Sequence, residues 1–596
     1  MHFRVLRLRL RRSINRQRKQ VGGLSKQIEQ RFDQHFFKRF SRLGKVRRFV
    51  IGWVALFLLL TTGVMLQTFG LSRYYQTVQA VDGGIYNEGV VGTFTTANPI
   101  YATGEVDSSV SHLLFSGLFT HDQTNALVGD LATGYSYDPG TNTYIVKLKS
   151  GLTWHDGQAL TSKDVVFTYK LIQNPDAQSP LQSSWKDIVI DAPDANTVTF
   201  KLPSQLASFP FTLTNGIVPE HLLGKVLPAD MRTSDFNTVR PIGSGPFAWQ
   251  AIEVSGGTDP AKAEEQIALV PFSKYHGGKP KLQEFIVHAY ASKDQMSVDF
   301  QSGRLTGASG LNRLPSQLKN QPQQEHNLLL TAGTYVFFKT SSGVLADQKV
   351  RQSLTSGTNV PQILTTLGYP TRPVRGALLT DQLGYDPSLV QASFDESTAK
   401  SLLQANGWVS GTDNYRLKNG KTLAFSLTAV DTAESKEVAK ELAVQWKRIG
   451  VKVELKLLST QDFQNALNSH DYEAVLNGIS IGLDPDVYVY WDSSQADIRS
   501  SNRLNLSEYK NTDADTALEA GRTRFDPQLR TVKYKPFLQA WQRDAPAIGL
   551  YQPRVLYLTN GSVRGLIDHT VNTATDRYTN VQNWQIREAR VTNRAR

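Results

Sequence analysis

Apolar and polar positions alternate through residues 144–149. Tyr144, Val146 and Leu148 share one side, and Lys147 and Lys149 share the other with Ile145, the period of a half-buried strand. Asp156-Gly157 reads as a turn, because glycine tolerates positive φ and aspartate bonds its own backbone. Thr161 stands three residues before Asp164, the spacing of a capping box. Val165, Val166, Tyr169 and Ile172 recur at helical spacing until Pro175, which stops a helix. Residues 144–175 therefore predict strand, turn and capped helix. The two periods return downstream. Residues 196–202 alternate, 334–339 form an apolar strand, and 347–354 begin a helix. Residues 395–408 predict a capped helix with Ala399, Leu402 and Leu403 inward, ending at Gly407. Residues 434–449 predict a long helix with Val438, Leu442, Val444 and Trp446 as apolar positions, leading into the alternating strand 451–457. A helix feeding a strand is the unit of an α/β lobe with largely parallel pairing.

One stretch has neither period. Residues 49–71 contain no charged side chain and are long enough, at ~1.5 Å per residue, to cross a hydrocarbon core of about 30 Å. Lys45, Arg47 and Arg48 adjoin its start, so the positive-inside rule leaves residues 1–48 in the cytoplasm and exports the rest. A cleaved signal peptide is the rival reading, but its small-residue site, 78–80, lies well beyond the apolar run. The formal net charge of +12 is concentrated in the tail: residues 1–48 hold 16 Lys and Arg against Glu29 and Asp33, which leaves the remaining chain at −2. The tail alternates basic and apolar residues over 4–12, and Leu24, Ile28, Phe32, Phe36 and Phe40 fall at four-residue steps. It fits either an amphipathic segment on an anionic inner leaflet or a solvated topology signal. Nucleic acid is not an expected partner.

At 596 residues the chain exceeds one ordinary domain. It has no cysteine, which excludes disulfides, thiolate nucleophiles and Cys-ligated metals. No Walker loop, H-E-x-x-H or nucleophile elbow is present. His112, His121, His155, His221, His276, His288 and His326 are scattered singly. Neither a metal nor a cofactor is expected, and the chain does not read as an enzyme.

The sequence GLTWHDGQALTSKDVVFTY at 151–169 resembles a segment of the bacterial extracellular solute-binding proteins of family 5, the peptide- and nickel-type receptors of ABC importers. Further segments follow in the family's order: Asn98-Pro99, 108–119, 127–133 with Val128 in place of proline, 216–221, 241–247, 275–282, 297–303, and the 334–354 and 395–408 segments. The resemblance spans about 84–570. It implies an α/β, two-lobed periplasmic-binding-protein fold (type II) with an extra small domain, preceded by one transmembrane helix. Carried-over boundaries put a linker at 72–83, the first lobe at 84–111, 206–333 and 546–596, the extra domain at 112–205 and the second lobe at 334–545. The implied function is capture of peptides between the lobes for an ABC permease and its ATPase subunits. A nickel chelate, a signalling or interaction role, and a relative that has lost its ligand are the alternatives. Lys339, where the family usually has asparagine, raises the last. Asp484 stands at the family's D-P step, where an aspartate meets a peptide's α-amino group, so it is the first candidate ligand residue and Asp486 the second. Tyr335, Tyr488, Tyr490 and Trp491 are candidate cleft walls. For Asp484 a plain Asp-Pro turn, and for the aromatics core packing, are the competing readings.

Overall fold

The computed structural model describes residues 47–255, 264–319, 323–500, 503–561 and 563–592. The expectations for the basic tail over 4–12 and 24–43 lie outside these residues. The apolar stretch forms a single helix, Arg47–Tyr75. Its span Arg47–Gly70 has a mean hydropathy of 2.3 and is about 36 Å long at ~1.5 Å per residue. Apolar side chains are exposed all round it, from Phe49 and Trp53 to Met65 and Phe69, a surface suited to lipid rather than water. The hydroxyls of Thr61 and Thr68 donate back to the carbonyls of Phe57 and Val64 at 2.8 Å, so the helix leaves neither unsatisfied. The helix passes the expected boundary at 71, because Ser72 to Tyr75 continue its turns.

Residues 80–587 form a separate compact unit built on three larger sheets, beside a small three-stranded and a two-stranded one. The first has seven strands in the order Gln323–Leu329, Arg554–Asn560, Gly307–Leu311, Ile85–Val91, Glu284–Tyr290, Glu264–Pro271 and Phe247–Ser255. The second has five, in the order Lys452–Leu458, Ala424–Val430, Ala474–Ser480, Ala332–Phe338 and Ala547–Tyr551. Ala424–Val430 runs parallel to both its neighbours, across the helix Ala433–Arg448 and the helix Thr460–Ser469. The expected helix–strand unit is there. Within it Val438, Leu442 and Trp446 are fully buried, whereas Val444 is half exposed. Steps of four keep one helical face, and Val444 falls off it. The third sheet, Ala132–Asp138, Thr143–Leu148, Thr197–Lys201 and Val189–Asp194, is antiparallel. It belongs to the small domain, yet its Tyr144 and Val146 share one continuous core with Tyr86 and Val110 of the first lobe.

The chain passes between the two large sheets twice, at 330–331 and at 552–553. The boundaries expected at 334 and 546 shift accordingly: Ala332 already pairs with Ser480, and Ala547–Tyr551 is an edge strand of the second lobe's sheet. The Gln552 side chain donates to the Leu330 carbonyl at 3.1 Å and ties the two crossings together. Adjacent crossings of this kind are the geometry of a hinge.

The sequence motifs fix one another in space. Thr161 and Asp164 make the capping box of the helix Ser162–Gln173. The other Asp164 oxygen accepts from the Glu220 N–H at 3.0 Å, and His221 bonds Asp156 at 2.8 Å. His155 accepts from the Gly243 N–H through Nδ1 at 3.1 Å, so its Nε2 carries the proton and donates to the Gly245 carbonyl at 3.1 Å. His276 pairs with Asp130, joining the 275–282 and 127–133 segments. Trp154 is fully buried. The residues of 154–156 are thus cross-braces between chain segments.

Burial pushes the His155 imidazole down to about 4 from its ordinary 6.5. An unfolded chain therefore binds a proton between pH 6.5 and 4 that the folded chain refuses. Stability from this group is full above pH 6.5 and falls by ~3 kcal/mol as pH drops to 4. Thermal denaturation from pH 7 to 4 is expected to show a steeper loss for the native chain than for His155→Gln. Parallel pH profiles would remove His155 as the cause.

Candidate functional site

Parallel strands carry ligand sites at their carboxyl ends. Here Ala474–Ser480 ends and the chain enters 481–491. The N–H groups of Ile481 and Gly482 both donate to the Thr331 carbonyl at 3.0 Å, so this loop is pinned to the first crossing. Asp484 is buried, and each of its oxygens accepts from a terminal nitrogen of Arg530 at 2.7 Å. Arg530 comes from the helix Pro527–Asp544, and this pairing pulls its pKa upward against the desolvation of burial. Across from it Tyr135 of the small domain has its hydroxyl pKa pushed up by burial, with Asp484 adding to the effect.

Asp486 turns the other way. Its carboxylate accepts from the Ser208 hydroxyl at 3.1 Å and lies 3.1 Å from the Arg522 guanidinium. Burial raises its pKa, and Arg522 opposes the rise. Arg522 also stacks 4.2 Å from the Tyr488 ring centroid. The Ala207 N–H donates to the Arg522 carbonyl at 2.9 Å, and Phe525 stacks on Tyr137 at 4.2 Å. Asp486 therefore belongs to a seam joining the second lobe to the segment that follows the small domain and, through Phe525, to the small domain itself.

The aromatic candidates divide. Tyr488 and Tyr490 are half-buried, and Tyr490 donates to the Ser480 carbonyl at 2.5 Å, with its pKa pushed up to about 12 by burial. Trp491 and Tyr335 are 0% exposed. Trp491 packs against Phe337 and Trp541, and Tyr335 donates to the Gly376 carbonyl at 3.0 Å. These two are core residues and not cleft walls, because Ala332–Phe338 buries both of its faces: Val336 and Phe338 on one side, Tyr335 and Phe337 on the other. Lys339 likewise serves its own lobe, donating to the His470 carbonyl at 2.8 Å and lying 3.5 Å from Glu508.

The Asp484–Arg530 pair sets an expectation for mutagenesis. Asp484→Ala leaves a buried guanidinium without its partner, and such losses cost about 3–5 kcal/mol. A melting temperature unchanged by this substitution would contradict the pairing.

Two cavities lie elsewhere. A cavity of about 270 Å³ is lined by Glu105 and Asn312 of the first lobe, by Tyr369, Glu434 and Ser435 of the second, and by Arg554 just past the second crossing. A second, of about 430 Å³, is lined by His112, His121, Trp185, Asn215 and Asp576, between the first lobe and the small domain. Burial lowers the pKa of both histidines. Asp484, Asp486, Tyr488, Tyr490, Trp491 and Tyr335 line neither cavity. Among the described residues no group of three or more His, Cys, Asp or Glu could hold a metal ion. Sequence reasoning passed over Glu434 and Arg554. The first sits in a helix read only for its apolar face, and the second carries no motif.

Comparison with known proteins bears on this architecture. A family model described as bacterial extracellular solute-binding proteins, family 5 Middle, matches residues 126–500. The oligopeptide-binding protein AppA of Bacillus subtilis (strain 168) is 26% identical over 494 residues, covering 79% of this chain and 86% of that protein. The structure of AppA from B. subtilis in complex with a nonapeptide superposes with a TM-score of 0.66 at 24% identity, over 85% of this chain and 100% of that one. NikZ from Campylobacter jejuni in complex with Ni(L-His) superposes with a TM-score of 0.67 at 23% identity, over 84% and 99%. Both structures share the two-lobed fold.

Proposed function

Since the chain belongs to the family 5 bacterial extracellular solute-binding proteins, we propose that it is a membrane-anchored receptor that captures peptides between its lobes and passes them to an ABC permease. The observation that carries this reading is the polar cavity at the paired crossings, lined from both lobes. A ligand held there contacts both sides of a hinge and favours the closed arrangement by its differential affinity. The peptide-binding relative supports peptides over a nickel chelate. The receptor hydrolyses nothing in this reading; the permease's ATPase subunits drive transport. Asp484 is occupied by Arg530, so capture of a peptide ammonium by Asp484 requires an exchange of partners, with Asp486 and Tyr488 on the neighbouring seam.

Calorimetric titration of the full chain in detergent with a random hexapeptide pool tests the reading. Saturable heat is expected, and its absence would turn the reading toward the interaction-protein alternative. The anchor has its own test. The helix Arg47–Tyr75 is expected to hold the protein in the membrane fraction through a high-salt wash and to release it only with detergent. Release by salt alone would sink the anchor and leave the receptor reading standing. In this reading the solute-binding unit lies outside the cell membrane and the tail, residues 1–48, inside.

A further inference from the structure

The second lobe reaches the small domain through one short connection. The helix Thr512–Arg522 and the helix Pro527–Asp544 are joined by residues 523–526. Gly521 lets the two helices approach closely, because a Cβ there would stand 2.4 Å from the Tyr534 ring. Arg530 donates through Nε to the Gly521 carbonyl at 3.2 Å while its terminal nitrogens hold Asp484. The Asp526 side chain caps the second helix, accepting from the Leu529 N–H at 2.7 Å. The connection is thus shaped from within its own lobe before it touches anything else.

What it touches is an aromatic platform. Tyr144 of the strand Thr143–Leu148 has the Tyr135 and Tyr137 rings of the neighbouring strand at 5.7 and 4.7 Å. Phe525 sets its ring 4.2 Å from Tyr137 and 6.1 Å from Tyr144, yet stays 37% exposed. Beside it the Ala207 N–H donates to the Arg522 carbonyl at 2.9 Å and the Ser208 hydroxyl to Asp486 at 3.1 Å. Tyr144 belongs to the core shared by the small domain and the first lobe. Tyr534, Phe537 and Leu518, on the two joined helices, belong to a core of the second lobe. Phe525 is in neither core, so each body keeps its packing when the contact parts. The ion pair of Arg313 with Glu437 also joins the lobes, but both side chains are more than 40% exposed, and such pairs contribute little.

We propose that residues 522–526 are a latch that holds the second lobe against the small domain in the solute-free chain, with Phe525 seated on Tyr137 as its contact. Every partner in this seam is supplied by the chain itself, so closure does not wait for a ligand. Entry of a solute between the lobes then requires the latch to release, by rotation about the paired crossings at 330–331 and 552–553. The inference goes beyond the receptor reading and stands without it, since the seam is intramolecular.

The test reads the latch with no solute present. The chain has no cysteine, so two introduced cysteines carry the only spin labels. Lys201→Cys on the small domain and Gln539→Cys on the helix Pro527–Asp544 are exposed positions outside the seam. Distances between the labels are measured by pulsed electron paramagnetic resonance on the full chain in detergent. The otherwise native chain is expected to show one dominant short-distance population. Phe525→Ala is expected to lower the ratio of that population to longer distances at least about tenfold, as loss of an aromatic pair and its buried area dictates, with a melting temperature close to native. Tyr137→Ala is expected to redistribute the labels in the same way, and the double variant no further than either single one. Additive shifts would deny that these two rings act on each other. An unchanged distribution in Phe525→Ala, or a native chain spread as widely as the variant, would overturn the latch. Unfolding of Phe525→Ala would overturn it as well, because a contact on which the fold depends does not open and close. None of these outcomes bears on peptide binding, which calorimetric titration reads separately.

Discussion

Arg577→Met is expected to destabilise the fold by about 3–5 kcal/mol, the cost of stranding a buried charge. Arg577 and Glu88 are both fully buried in the first lobe, 3.0 Å apart. The guanidinium also donates to Ser109 at 3.0 Å, to Tyr578 at 2.6 Å and to the Ala574 carbonyl at 2.5 Å. Tyr578 donates to the second Glu88 oxygen. The cluster bolts the C-terminal segment onto Ile85–Val91, a separation of 489 residues along the chain. Removing the cation leaves the carboxylate with the phenol alone, in a site that water does not reach. The double variant Glu88→Gln/Arg577→Met takes both charges out and is expected to recover most of the loss. Urea denaturation of the three chains measures this. A single variant within about 1 kcal/mol of the native chain would contradict the account of the cluster, since surface changes alone stay near that size.

Gly243→Ala is expected to be as severe, for a steric reason. A Cβ at Gly243 would stand 1.9 Å from the Leu114 carbonyl oxygen, which is backbone and cannot rotate away. The Gly245 N–H donates to that same carbonyl at 2.8 Å, so the loop 241–247 must lie flat against the end of the helix Glu105–Leu114. His155 grips the loop from the other side through Gly243 and Gly245. Displacing the loop therefore breaks the brace as well as the contact, with an expected loss of about 3 kcal/mol or more, at the upper end of overpacking costs. Gly134→Ala is the control. It has nothing within 4 Å of its added Cβ, and its thermal denaturation is expected to stay close to native. Equal melting temperatures for the two variants would overturn the close-approach argument.

These cases show which parts of the molecule are written locally in the sequence. The strand, turn and capped helix over 144–173 depend on period, a Gly and a capping box, all within one short window, and the structure has each of them. The resemblance of scattered motifs to one family was also legible, and their mutual bracing through His155, Asp164 and His276 explains why they occur together. What was not legible is pairing at a distance. Arg530 lies 46 residues from Asp484 and Arg577 lies 489 from Glu88, and no periodicity links either pair. Asp484 consequently looked like a free carboxylate. Tyr335 had a usable signal: the run over 334–338 is apolar at nearly every position, the mark of a strand buried on both faces. Trp491 sits in a single helical turn, Tyr488–Trp491, too short for period to assign a face. Arg554 follows Pro553 at the start of a strand, and its exposure to a cavity is set by the crossing of the two lobes.

The measurement that tests the central claim most directly is native mass spectrometry of the full chain purified in detergent, compared with the same sample denatured. The account predicts a ladder of added masses in the native spectrum that resolves into short peptides on denaturation. A bare chain in both spectra, with no rise in melting temperature on adding a peptide pool, would contradict it.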